Sequence, residues 1–432
     1  HLPEQEDLAK SIKEAMETIE KFKVELDGVL PKSEYASFNR TNDSRSALSN
    51  LVKTFSDIPT TASGDVLGKI YEFFLGKFAL AEGQGGGEFF TPTSVVRLMV
   101  EIIEPHKGTV YDPACGSGGM FVQSQHFLEK HRSEGNELYV YGQEKTEDTV
   151  KLAKMNLAVN GLRGEIKQAN SYAEDPYNGF GKFDFVMANP PFNVDDVPIA
   201  TVESDARFNT YGIPRKKTKS KKSEQGKETV PNANYLWISL FATSLTDKGR
   251  AALVMANSAS DARHSEADIR KTLIENNLIY GMLTLPSNMF YTVTLPATLW
   301  FFDKDKQDNK ILFIDARNIF TQIDRAHREF NEEQIQNIAV ISKLHGGDRT
   351  SFIELIDGYF EKGMEGLIKN EQKVEPVTVQ LLDVLNEEQG KQAVKELLAQ
   401  WHDLKSHQKT YKAYLDQTFN DLSLHNKAQH TL

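Results

Sequence analysis

Apolar residues at Leu8, Ile12, Met16, Ile19 and Phe22 recur at three- and four-residue spacing, which predicts amphipathic helix at the start of the chain. The same mode runs through Gly64-Asp65-Val66-Leu67-Gly68-Lys69-Ile70-Tyr71-Glu72-Phe73-Phe74-Leu75 and stops at the flexible stretch Gly83 to Gly87. From about Lys107 the pattern changes to short apolar runs alternating with helical stretches, as an α/β domain with a mostly parallel sheet requires. The runs predict strands at 109–112, 138–143, 165–168, 183–188, 251–255, 279–285 and 297–302. Helices are expected between them, near 120–131, 147–159, 235–246 and 266–276. Seven strands interleaved in this way predict a doubly wound, Rossmann-like sheet. After Ile311–Asp315 the strand signal fades, and 352–363 and 390–426 return to polar helical periodicity. The expected organisation is an N-terminal helical domain over 1–82, an α/β domain over 83–345 and a C-terminal helical region over 346–432.

Composition narrows the class. With 39% hydrophobic and 26% charged residues the chain reads as a soluble globular protein of several domains. No run of about 18 apolar residues occurs, so no membrane span is expected. The acidic start, His1 to Asp7, has no apolar signal-peptide core, which points to the cytoplasm, and the lack of an initiator Met points to a truncated or processed product. Cys115 is the only cysteine, which excludes an intrachain disulfide and a Cys-rich zinc site. The eleven His residues are scattered with no HExxH pair, so no protein-held catalytic metal is expected. A net charge of −11 speaks against nucleic acid when taken as a sum. Its distribution says otherwise: between Ile213 and Glu228 lie Arg215, Lys216, Lys217, Lys219, Lys221, Lys222 and Lys227 against Glu224 and Glu228. This run reads either as a contact to phosphates or as a solvated charged loop.

The residues that carry chemistry sit where strands end. The first α/β strand leads into Asp112-Pro113-Ala114-Cys115-Gly116-Ser117-Gly118-Gly119 and then a helix, so backbone and helix N–H groups can approach a ligand closely. Alone, this is equally a tight strand-to-helix turn. The next strand ends in Tyr141-Gly142-Gln143-Glu144, about twenty-five residues on, where a carboxylate is placed to accept from ribose hydroxyls. A third ends at Asn170-Ser171, where an amide can read an adenine edge. The fourth ends in Ala188-Asn189-Pro190-Pro191-Phe192. Two prolines stiffen the backbone there, and the Asn189 side-chain oxygen and Pro190 carbonyl offer two acceptors for an exocyclic amine. Phe192 can stack on a flipped base. Asn-Pro is also a common turn initiator, but it follows the loop and Glu144 in the order a nucleoside-dependent enzyme needs.

Together with Gly87-Glu88-Phe89-Phe90-Thr91-Pro92, these segments resemble the ordered motifs of the amino-methyltransferases that modify adenine N6 in DNA. Within them the chain most resembles the modification subunits of type I restriction systems, over roughly residues 60–345. Supporting segments are 65–72, Leu285-Pro286-Ser287-Asn288-Met289-Phe290 and Gln322-Ile323-Asp324-Arg325-Ala326-His327-Arg328-Glu329-Phe330. The resemblance implies a Rossmann-like methyltransferase fold with S-adenosylmethionine as cofactor. Its methionine end would be held by Glu88, Phe89, Phe90, Thr91, Pro92 and Thr93 with Gly116, Ser117, Gly118 and Gly119. Asp112 would support the loop, Glu144 would take the ribose and Asn170 the adenine. Relatives often carry Asp at the position of Asn170, but an amide oxygen still accepts from the adenine amine.

The implied reaction is direct transfer to the amine, with Asn189, Pro190, Pro191 and Phe192 catalytic and Cys115 no nucleophile. Implied partners are double-stranded DNA, a specificity subunit, a restriction and translocase subunit, and a second copy of the chain, with no membrane. No Gly-x-x-x-x-Gly-Lys-[Ser/Thr] occurs, so the ATP-driven translocase is a different chain. Other readings are methylation of a protein glutamine or an RNA base in a similar pocket, and an inactive scaffold built on the same fold. The former relatives more often place Tyr after the prolines, and the intact motifs argue against the latter.

Overall fold

The computed structural model describes residues 7–39, 41–56, 70–71, 73–75, 91–131, 137–216, 228–290, 296–325 and 327–429. The chain forms two compact units, His1–Ile335 and Gln336–Leu432.

The first unit begins with helices α1 (Leu8–Phe22) and α2 (Asn42–Ser56). The Asp7 side chain caps α1 by accepting the Lys10 amide, as an N-terminal carboxylate should. The α/β part follows as α3 (Thr93–Ile103), β1 (Gly108–Asp112), α4 (Gly119–Lys130), β2 (Leu138–Glu144), α5 (Glu147–Val159), β3 (Gly164–Gln168) and β4 (Phe183–Ala188). It continues with α6 (Asn234–Ser244), β5 (Leu245–Ala256), α7 (Ser265–Glu275), β6 (Ile279–Thr284), β7 (Ala297–Asp303) and β8 (Leu312–Asp315). The helix expected at 147–159 has those bounds, and the others shift by a residue or two.

All eight strands share one sheet in the order β3-β2-β1-β4-β5-β7-β6-β8. The sheet therefore has one strand more than the seven expected. Its extra member, β8, is an edge strand in parallel pairing with β6, and Phe313 on it is 71% exposed. β7 runs antiparallel to both β5 and β6, and the remaining pairings are parallel. The order turns back on itself between β1 and β4, which is where a doubly wound sheet opens a crevice beyond its strand C-termini. At the opposite, N-terminal ends of these strands Asp184 fastens β1 to β4, accepting from the Thr109 amide and hydroxyl at 2.9 and 3.0 Å.

The core explains why these sequences take these forms. α6 is apolar all round and every residue from Asn234 to Ser244 is buried, as a helix pressed between sheet and loops must be. It passes into β5 with no intervening residue, Ser244 to Leu245. Tyr235, Phe241, Phe183, Val186 and Trp300 belong to one continuous core cluster with it. On the other side Val110, Phe121, Val140, Ala153, Leu157 and Ile166 seat α4 and α5 against β1–β3.

The second unit contains the later part of α8 (Glu332–His345), then α9 (Thr350–Val384) and α10 (Glu388–Gln429), which pack on each other. The helical stretch expected at 352–363 thus lies inside a much longer helix, and the one expected at 390–426 is extended by two residues before and three after. Among the described residues no helix is long and apolar enough to cross a membrane, and no group of three His, Cys, Asp or Glu is gathered to hold a metal ion.

Candidate active site

A cavity of about 910 Å³ opens at the carboxyl ends of β1, β2 and β4, large for a small-molecule site. Its floor is the loop after β1. Gly116 and Gly118 take positive φ, 52° and 83°, which residues with a side chain adopt at a cost, and Gly118 is the N-cap of α4. No side chain caps that helix, so its first turn is left to a ligand, and Gly119 and Met120 line the cavity.

The loop is held by partners on three elements. Asn156 on α5 donates to the Ser117 carbonyl at 2.8 Å, and Ser171 donates to the Pro113 carbonyl at 2.5 Å. Glu144, at the end of β2, accepts from the Gly116 and Thr146 amides at 3.2 and 2.9 Å. The Asp112 carboxylate accepts from the Ala114 amide at 2.9 Å. Complete burial raises the Asp112 pKa well above the usual carboxylate range, and the charge of Glu144 adds to the effect. The Cys115 thiol is likewise pushed up by burial, then by Asp112 and Glu144, which keeps it protonated and a poor nucleophile.

Opposite the loop, β4 delivers Asn189, Pro190, Pro191 and Phe192, which all line the cavity. Asn189 donates through Nδ2 to the Thr91 hydroxyl at 3.1 Å. Its Oδ1 is buried and has no hydrogen-bond partner among the described residues. A buried polar atom left unpaired costs about 1–3 kcal/mol, so this oxygen marks a place that something polar completes. The Tyr172 and Trp237 rings stand 4.9 Å apart at the cavity wall.

Of the residues expected to bind a cofactor, Thr91, Thr93, Asp112, Gly116, Ser117, Gly119, Glu144 and Asn170 line the cavity together. Pro92 is buried as the N-cap of α3, and Gly118 lies behind the lining at the cap of α4. Glu88, Phe89 and Phe90 lie outside the described residues, as does the lysine run from 217 to 227. Asn170 Oδ1 accepts from the Tyr172 amide at 3.1 Å, a local turn that holds the side chain at the cavity edge. Arg215, at the start of the basic run, pairs with Glu203 at 3.3 Å.

The family model described as N-6 DNA Methylase matches residues 62–357. The chain is 40% identical over 325 residues to the type I restriction enzyme MjaIX methylase subunit of Methanocaldococcus jannaschii, covering 74% of this chain and 56% of that protein. It is 37% identical over 346 residues to the HindI methylase subunit of Haemophilus influenzae, covering 77% of this chain and 74% of that protein. The chain belongs to the N-6 DNA methylases, among the methylase subunits of type I restriction enzymes. It spans little more than half the length of the first of these relatives. The type I methyltransferase subunit from Streptococcus thermophilus shares its fold, with a TM-score of 0.66 at 23% identity over 78% of this chain and 70% of that one.

The candidate site has parts that the linear sequence concealed. Just past the prolines Asn193 takes φ 57° and is clamped from α6: its amide donates to Asn234 Oδ1 at 2.9 Å, and its own Oδ1 accepts from Asn234 and Asn232 at 3.0 Å each. Ala233 donates to the Val194 carbonyl at 2.7 Å, closing the clamp. Asparagines about forty residues apart, separated by a charged loop, give no periodic signal. Phe290 also lines the cavity, brought there by the Leu285–Phe290 segment. That segment is tied by Arg328, which donates to Ser287 Oγ at 2.9 Å and through its amide to the Asn288 carbonyl at 3.0 Å.

Proposed function

We propose that the chain transfers a methyl group from S-adenosylmethionine to the N6 amine of an adenine flipped out of double-stranded DNA. The observation that carries this reading is the buried, partnerless Asn189 Oδ1 in the same cavity as the loop and carboxylate fitted to a nucleoside. The donor set suits such a cofactor: Glu144 for ribose hydroxyls, Asn170 for the adenine edge, and the backbone of Gly116, Ser117 and Gly119 with Thr93 and residues 88–90 for the methionine end. When bound, S-adenosylmethionine supplies an electrophilic sulfonium methyl.

The chain's own part is to position. Asn189 Oδ1 and the Pro190 carbonyl accept the two amine N–H groups, Pro191 keeps the segment stiff, and Phe192 offers a face to the base. Fixing a nucleophile near its target in this way supplies several kcal/mol of the barrier, on the order of 7–11 in the best intramolecular cases. No side chain has to act as acid, base or covalent carrier at the transferred carbon.

In this reading a specificity subunit chooses the DNA site, a restriction and translocase subunit completes the system, and a second copy of the chain joins the complex. The helices before residue 83 and after residue 345 serve as docking elements, and the basic run 215–227 meets DNA phosphates. The deciding experiment is single-molecule sequencing of genomic DNA from cells with and without the gene. The expected result is N6-methyladenine at one recognised sequence, lost on deletion and restored by the wild-type gene. Unchanged N6-methyladenine on deletion, with the specificity subunit expressed, would overturn the proposal.

A further inference from the structure

A carboxamide is nearly symmetric in shape, so its hydrogen bonds decide whether its donor or its acceptor end faces a given side. Among the described residues the one partner of the Asn189 side chain is the Thr91 hydroxyl, 3.1 Å from Nδ2 and accepting its N–H. In this arrangement the hydroxyl, which can donate as well as accept, acts as the acceptor, and the Asn189 oxygen lies on the other side, buried and unpartnered among the described residues. Were the group flipped, an NH2 would confront an incoming amine, donor against donor, and the acceptor would be lost.

Thr91 is itself held firmly. It precedes Pro92, whose carbonyl accepts from the Val95 and Val96 amides at 2.9 and 3.2 Å. The helix that follows is buried along Val95, Val96, Leu98, Met99 and Val100. The hydroxyl is therefore presented to Asn189 from a fixed helix start, 98 residues away in sequence.

We propose that Thr91 is a positioning residue for amine acceptance: its hydroxyl holds the Asn189 carboxamide with Oδ1 toward the substrate. This rests on the methyl-transfer reading above. It differs from the role that sequence resemblance gives Thr91, which is to hold the methionine end of the cofactor. The two roles separate experimentally, because a cofactor contact acts on affinity and a positioning contact acts on the rate at saturating cofactor.

The test uses the full chain assembled with its specificity subunit, in wild-type, Thr91→Val and Thr91→Ser forms. Valine keeps the shape and removes the hydroxyl, and serine restores it. Calorimetry reads S-adenosylmethionine affinity, and single-turnover transfer to unmethylated phage DNA reads the rate. The expected result for Thr91→Val is a rate lowered roughly tenfold at saturating cofactor with affinity unchanged, and for Thr91→Ser a rate near wild type. A matching tenfold loss of affinity with an unchanged saturated rate would make Thr91 a cofactor contact and overturn the proposal, as would no change in either.

A third measurement is independent of activity. In chain labelled with 15N-asparagine, the side-chain NH2 signals that vanish in Asn189→Ala belong to Asn189. Thr91→Val should shift them and Thr91→Ser should leave them close to wild type. If wild type transfers no methyl to adenine while these signals respond as stated, the functional reading fails and the Thr91 contact stands. If they do not respond, the positioning role fails by itself.

Discussion

At the β1–β2 end of the cavity, Glu144, Asp112 and the Ser117 carbonyl each have a partner in the protein, whereas at the β4 end Asn189 Oδ1 has none among the described residues. The first end is built largely from backbone and resembles a finished cradle. The second is built from side chains and holds hydrogen-bonding capacity that the protein leaves unused. In the proposed reaction the difference separates two tasks: one end need only receive a ligand of fixed shape, while the other must grip a group harder as it reacts.

The contrast is broken most sharply at Asn189. Replacing it by alanine removes the partnerless acceptor, and methylation should fall by on the order of 10²–10³-fold while calorimetry finds S-adenosylmethionine binding nearly intact. Comparable losses in both would mean that the two ends are not separate. Glu144→Ala probes the finished end. It leaves the Gly116 and Thr146 amides without their acceptor, so cofactor affinity should drop roughly 10–100-fold, measured by the same titration.

Asn234→Ala loosens the support under the β4 end without touching its lining. It strips the Asn193 amide of its acceptor and one donor from Asn193 Oδ1, at a cost of about 1–3 kcal/mol. The saturated rate should fall roughly tenfold with cofactor affinity unchanged, and Asn234→Asp, which keeps the acceptor, should recover part of it. The smallest effect concerns pH. Burial raises the Asp112 pKa in the folded protein, so the folded state holds this proton over a range where the unfolded chain has released it. Its contribution to stability is full below the ordinary carboxylate pKa and is lost as pH rises through the raised folded value. Asp112→Asn removes that dependence, so melting temperatures of the two proteins should diverge upward from pH 4 in favour of the variant. Parallel curves would refute the shift.

Both ends were legible in sequence to different extents, for the same reason. The cradle is local: a strand, a glycine turn and a helix within a dozen residues, then a carboxylate at the next strand end, so order and spacing expose it. Asn189-Pro190-Pro191-Phe192 is local too. What supports it is not, since the Thr91 contact and the Asn193–Asn234 clamp join segments that only the folded sheet brings together. The edge strand β8 appears only as the segment 311–315 after which the strand signal fades, because its apolar run Ile311-Leu312-Phe313-Ile314 is short and polar sequence surrounds it. Strand β5 starts six residues before the expected 251 because its first part, Thr246-Asp247-Lys248-Gly249-Arg250, is polar and carries no apolar run to mark it as strand.

The reversed strand β7 has a consequence of its own. A parallel neighbour would have required the chain to leave this edge of the sheet and cross over before pairing again. Because β7 runs the other way, Leu285 and Ala297 meet in a 2.9 Å hydrogen bond, and the connection 285–296 starts and finishes on the edge that carries the cavity. A segment anchored like this can lengthen or shorten without slipping the registry of any strand. Where relatives diverge in what they accept, insertions should accumulate there before they touch the sheet, and grafted segments should be tolerated there best.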